Sequence, residues 1–130
     1  MRQMRWDCLT SGCFRITCPK LGMLDDCFPG KIGMSDIDGA VEVNKHFLFL
    51  EWKSYQGDIP TGQKIYFERL TALSDKITAV IVSHDVSPEN VTHCQVVSKG
   101  KFHEAETCDF AELCSRIKKW SDKAEGLKHD

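Results

Sequence analysis

Seven consecutive residues, Thr78-Ala79-Val80-Ile81-Val82-Ser83-His84, contain no Asp, Glu, Lys, Arg, Gly or Pro. Such a run is far short of the roughly 20 apolar residues that cross a bilayer. It suits a strand buried on both faces, the setting of the parallel part of a mixed sheet. A second run, Phe47-Leu48-Phe49-Leu50, lies within a strand expected over His46 to Lys53. Between them, from Thr61 to Lys76, Ile65, Tyr66, Phe67, Leu70 and Leu73 recur at near-helical spacing. Strand, helix and strand in that order form a crossover, and a crossover sets its two strands parallel.

Ile37, Ala40, Val41 and Val43 mark a further strand over Asp36 to Glu42, and Asn44-Lys45 is a two-residue turn, so residues 36–53 form a hairpin. Downstream, Val91 to Ser98 reads as a strand, with Lys99-Gly100-Lys101 as the next turn. Asp109 caps a last helix carrying Phe110, Leu113, Ile117 and Trp120, with Glu112 three residues on in capping-box fashion. Upstream, a short helix over residues 1–12, a strand over 13–17 and an irregular or briefly helical crossing over 20–33 complete the order α/β/β/β/α/β/β/α. The expected fold class is α/β, a mixed sheet flanked by helices.

The 130 residues are expected to form one domain, 1–130, with 42% hydrophobic and 28% charged residues, as in soluble globular chains. Net charge is −2, from 17 basic and 19 acidic residues, so no overall basic footprint marks a nucleic-acid binder. Basic residues do cluster locally, at Arg2, Arg5, Arg15 and Lys20 and again at Arg116, Lys118, Lys119 and Lys123. No apolar leader follows Met1, and no stretch approaches a membrane span. The seven cysteines, an odd count, then point to a reducing cytoplasm with thiols unpaired. Cys8, Cys13, Cys18 and Cys27 lack the tight Cys-x2-Cys pair of structural zinc sites, so incidental thiols are expected there.

Chemistry concentrates in the hairpin. Glu51 and Lys53 are two apart on a strand and share a face, while Trp52 points to the other face with its carbonyl available to a metal. Asp36 and Asp38 likewise share a face, with Glu42 on the same parity, and the hairpin can bring either aspartate beside Glu51. Two converging carboxylates with a lysine are what metal-assisted phosphodiester hydrolysis requires. Magnesium takes hard oxygen ligands, and the ammonium stabilises charge developing on the phosphate. Asp38 is favoured over Asp36 as the metal ligand, because Gly39 after it leaves room for a bulky substrate. Asp58 reads as a loop residue, His84 as a structural histidine, and Tyr55 as an exposed aromatic able to stack on a base.

Asp38-x12-Glu51-x-Lys53, or Asp36-x14-Glu51-x-Lys53, resembles the PD-(D/E)xK motif of the restriction-endonuclease-like superfamily. The segment from Lys53 to Gln63, with Gly57 and Asp58 in a short loop and Gln63 opening the next helix, is similar to the VRR-NUC branch and to small phage-encoded proteins of this type. The likeness covers about residues 33–73, and Ser35-Asp36 stands where the family usually has Pro-Asp. It implies a restriction-endonuclease-like fold and a DNA-cleaving nuclease of phage replication, repair or host takeover. Asp38 and Glu51, with Asp36 and the Trp52 carbonyl, would hold Mg2+ or Mn2+; Lys53 would assist attack by water and Gln63 would orient. The terminal arginines and lysines would hold the DNA backbone, and a homodimer would suit so small a chain. The rival expectation is a binding protein on the same scaffold that has lost turnover and docks on a host or phage protein.

Overall fold

The computed structural model describes residues 20–54 and 57–126. The helix and strand expected within residues 1–17, the thiols of Cys8, Cys13 and Cys18, Arg2, Arg5, Arg15 and Tyr55 lie outside them. The chain divides into two compact units, residues 1–36 and 37–130. In the described part of the first, a short 3-10 helix spans Leu21–Cys27, and Gly30 takes the left-handed backbone that follows Pro29 (φ 63°). The "irregular or briefly helical" reading of this stretch therefore resolves to a 3-10 turn.

The second unit holds a mixed sheet. Its strands are β1 (Gly39–Val43), β2 (His46–Ser54), β3 (Ile77–His84), β4 (Val91–Ser98), β5 (Lys101–Phe102) and β6 (Glu106–Thr107). Two helices accompany them, α1 (Thr61–Ala72) and α2 (Phe110–Ala124). The order across the sheet is β1-β2-β3-β4-β5, and β6 also pairs with β4. Among the described residues only β2 and β3 run parallel; the other pairs are antiparallel. The α1 crossover is what makes that one pair parallel, as the order of the two apolar runs anticipates.

Two hairpin turns, between β1 and β2 and between β4 and β5, are two residues long with both residues left-handed, Asn44-Lys45 (φ 46° and 69°) and Lys99-Gly100 (φ 53° and 79°). This backbone twist matches that of the flanking strands. Asn44 also donates from Nδ2 to the Ala124 carbonyl at 2.9 Å, so the first turn satisfies an end carbonyl of α2.

Register sorts the side chains into two faces. Phe49, Glu51 and Lys53 lie opposite Ala79, Ile81 and Ser83, which in turn lie opposite Val97, Gln95 and His93. α1 covers this face: Phe67 (1% exposed) packs with Ile59, Ala79, Ile81 and Val97. On the other face Leu50, Trp52 and Val80 join Val82, Val91, Cys94 and Cys108 under Leu113 and Ile117 of α2. The result is three layers, helix, sheet and helix. The Asp109 side chain accepts from the Glu112 amide at 2.8 Å, the N-cap read from sequence.

Two expected boundaries are corrected. β1 starts at Gly39 rather than Asp36, for a reason that belongs to the site. α1 ends at Ala72 rather than Lys76: Leu73 is 77% exposed, and Ser74 Oγ accepts from the Lys76 amide in a turn. The two-residue strands β5 and β6 were not expected, since pairs this short carry no periodicity. Among the described residues no helix is long and apolar enough to cross a membrane.

Candidate active site

The C-terminal end of β2 and the first turn of α1 meet on the α1 face of the sheet. Glu51 is half-buried there with Oε2 enclosed, and Gln63 donates from Nε2 to its Oε1 at 3.2 Å. Gln63 is the third residue of α1, which begins directly after Pro60. Lys53, two residues on and also half-buried, donates from Nζ to the Gly57 carbonyl at 2.8 Å. Three of the sequence-selected residues, Glu51, Lys53 and Gln63, are thus gathered by one strand end and one helix start.

Asp38 is placed by the hairpin. Gly39 lies opposite Leu50, so the same register continued by one residue sets Asp38 opposite Glu51. The ladder itself stops at Gly39, because Asp38 Oδ2, not the Ile37 carbonyl, accepts the Trp52 amide, at 2.7 Å. This substitution ends β1 early. Within a strand the N–H and C=O of one residue project to the same side. The Trp52 carbonyl therefore projects to the same side of β2 as its amide, the side of Asp38. Asp38, Glu51 and Trp52 thus offer two carboxylates and a carbonyl, hard oxygens of the kind magnesium takes. Among the described residues no group of three or more His, Cys, Asp or Glu side chains has metal-holding geometry.

Other assignments shift. A side chain at Gly39 would meet Leu50 Cβ at 3.7 Å, ordinary contact on the α2 face. Gly39 therefore makes no room beside Glu51, and the argument that favoured Asp38 on that ground falls. Asp36 is exposed and ends the first unit, outside the sheet. The Trp52 ring lies on the α2 face as expected, with Nε1 donating to the Pro88 carbonyl at 3.0 Å. Register sets His84 opposite Ser54, on the face away from Glu51 and Lys53; its Nδ1 is buried without a hydrogen-bond partner among the described residues. Glu42 accepts from the Lys45 amide at 2.7 Å, a turn contact.

The basic residues of the last helix lie on the opposite side of the sheet. Arg116 donates to Glu112 (2.9 Å) and Glu106 (3.0 Å) and to Cys94 Sγ (3.2 Å), and Lys118 pairs with Asp122 at 2.8 Å. Beside Cys94, burial pushes the Cys108 thiol up from 9.0 to about 12, with the neighbouring Cys94 adding to the shift.

Next to Lys53 opens a cavity of about 510 Å3. Its lining includes Asp58, which the sequence suggested only as a loop residue, together with Lys64, Gln95, Lys101 and Phe102. These four were missed because they converge from α1, β4 and β5. Gln95 reaches the site only through the register of β4 on β3. Lys101 does so through the Lys99-Gly100 turn, whose Gly100 amide donates to Thr71 Oγ1 at 3.1 Å.

No protein-family model, curated protein or solved structure matches the chain.

Proposed function

We propose that the protein is a metal-dependent nuclease that hydrolyses DNA phosphodiester bonds on a restriction-endonuclease-like sheet. The observation that carries this reading is the gathering of Glu51, Lys53 and Gln63 at the end of β2, with Asp38 in register opposite Glu51. Asp38 and Glu51, with the Trp52 carbonyl, would hold Mg2+ or Mn2+, and Asp36 is a further acidic candidate. The metal, when bound, supplies positive charge at the phosphoryl group. Gln63 fixes the Glu51 carboxylate by hydrogen bonding to Oε1. Lys53 keeps two N–H donors beyond its bond to Gly57, and these would stabilise charge developing on a phosphate. A phage setting and a homodimer belong to the same reading through the resemblance and the chain's size.

One observation favours a second reading, a binding protein that retains the scaffold without turnover. Asp38 and Lys53 both hydrogen-bond the backbone beside them, the roles of a strand cap and a loop clasp. Incubation of the purified protein with Mg2+ or Mn2+ and single-stranded, duplex or branched DNA separates the two. Cleavage is expected, abolished in Glu51→Gln and Lys53→Ala with DNA binding kept. If the wild-type protein cuts none of these substrates with either metal, the nuclease reading fails.

A further inference from the structure

The cavity beside Lys53 has a composition that the hydrolytic reading does not require. Its volume of about 510 Å3 lies within the range of small-molecule sites. Lys53, Lys64 and Lys101 enter it from three different elements, and among the described residues no ion pair engages Lys64 or Lys101. Asp58 and Glu68 share the lining, so three positive groups face two negative ones. That balance disfavours a polyanion and suits a ligand with a single phosphate and several neutral hydrogen-bonding groups. Phe102, half-buried, supplies an aromatic surface over the Ile59 and Ile81 side chains. Gln95 donates from Nε2 to the His103 carbonyl at 2.7 Å, so its side-chain amide is held in place with Oε1 still able to accept.

Gly100 also lines the cavity. A side chain there would come within 3.1 Å of Ala72 Cβ, so the Lys99-Gly100 turn packs directly against α1.

We propose that this cavity is a nucleotide subsite. It takes one nucleoside monophosphate unit, with the phosphate among Lys53, Lys64 and Lys101 and the base stacked on Phe102. Asp58 and Glu68 would accept hydrogen bonds from sugar hydroxyl and base amino groups. That the bound unit is the end of a DNA strand rests on the nuclease reading; the chemistry of the cavity does not.

Calorimetric titration with deoxyadenosine monophosphate, deoxyadenosine and inorganic phosphate tests the proposal on the wild type, Lys64→Ala/Lys101→Ala and Phe102→Leu. Both lysines are exposed, and leucine keeps the apolar packing of Phe102, so folding is preserved and checked by circular dichroism. The nucleotide should bind more tightly than either fragment. The double lysine variant should weaken it about tenfold or more, as expected for loss of charge-assisted phosphate contacts. Phe102→Leu should weaken it about fivefold, the lower end for base stacking, and leave phosphate binding unchanged. Phosphate binding as tightly as the nucleotide, no nucleotide binding, or indifference to the lysines overturns the proposal. A protein that cuts no DNA yet shows this binding pattern loses the nuclease reading and keeps the subsite; one that cuts DNA without the pattern does the reverse.

Discussion

Asparagine at position 38 separates the two jobs that the Asp38 carboxylate can do. Its Oδ2 accepts the Trp52 amide at 2.7 Å, a short charge-assisted bond at an exposed edge. Hydrogen bonds to charged groups contribute about 1.5–3 kcal/mol net, and exposure places this one at the low end, about 1.5 kcal/mol. Asp38→Ala loses that amount, with water as the replacement acceptor. Asp38→Asn keeps a neutral acceptor worth about 1 kcal/mol, so its cost is roughly 0.5 kcal/mol. In a chain of 130 residues 1 kcal/mol moves the melting temperature by about 4 °C. Differential scanning fluorimetry should therefore show a fall of about 6 °C for alanine and about 2 °C for asparagine. Metal-dependent cleavage should behave differently. Loss of outer-shell partners costs about 10–100-fold, so removing a ligand carboxylate should cost at least about 100-fold in both variants. If Asp38→Asn cleaves labelled DNA within about threefold of the wild type, Asp38 is a strand cap and no metal ligand. If Asp38→Ala melts with the wild type, the cap reading goes as well.

Three further outcomes follow from the geometry. Gly100→Ala places a Cβ 3.1 Å from Ala72 Cβ at φ +79° and should cost about 1–2 kcal/mol. Gly62→Ala in α1, where nothing lies within 4 Å, should instead stabilise by about 0.4–1 kcal/mol; urea unfolding compares the two, and equal shifts would refute the packing of the turn. Gln63→Ala removes the donor to Glu51 Oε1 and should raise the Mn2+ concentration for half-maximal cleavage by about tenfold at nearly unchanged melting temperature. Cys108, held near 12 in the fold against 9.0 when exposed, contributes stability that is fully present below pH 9 and lost as pH rises towards 12. Cys108→Ala should flatten the stability profile over that window, and an unchanged alkaline slope would refute the assignment.

What could be read beforehand was local. The limits of β4 and the Asp109 cap follow from apolar patterning and from one side chain bonding an amide three residues away. Glu51, Lys53 and Gln63 were legible as well, because strand parity and a short loop suffice to bring them together. The rest depends on long-range register. Gln95 and Lys101 reach the cavity through strand pairings and a turn docked on Thr71, which no pattern within their own segments encodes. Gly39 is a related case. Sequence places it beside Asp38, whereas its face is set by Leu50 across the hairpin. Asp38 shortened β1 by a side-chain bond that competes with the ladder, and propensity does not register such competition.

The internal bonds of the site do not by themselves argue for a silent scaffold. A carboxylate has about four lone-pair positions and an ammonium three donors. Asp38 commits one oxygen to Trp52, and Lys53 commits one N–H to Gly57. Each bond fixes its side chain and leaves most of its capacity unspoken for, which is how positioned ligands and positioned cations are held in working sites. The same bonds would serve a structural role equally well if nothing else converged there. What tilts the balance is convergence. Glu51 carries a second hydrogen-bonding residue from another element, and the Lys53 face continues into a cavity with two further lysines. A strand cap and a loop clasp need neither.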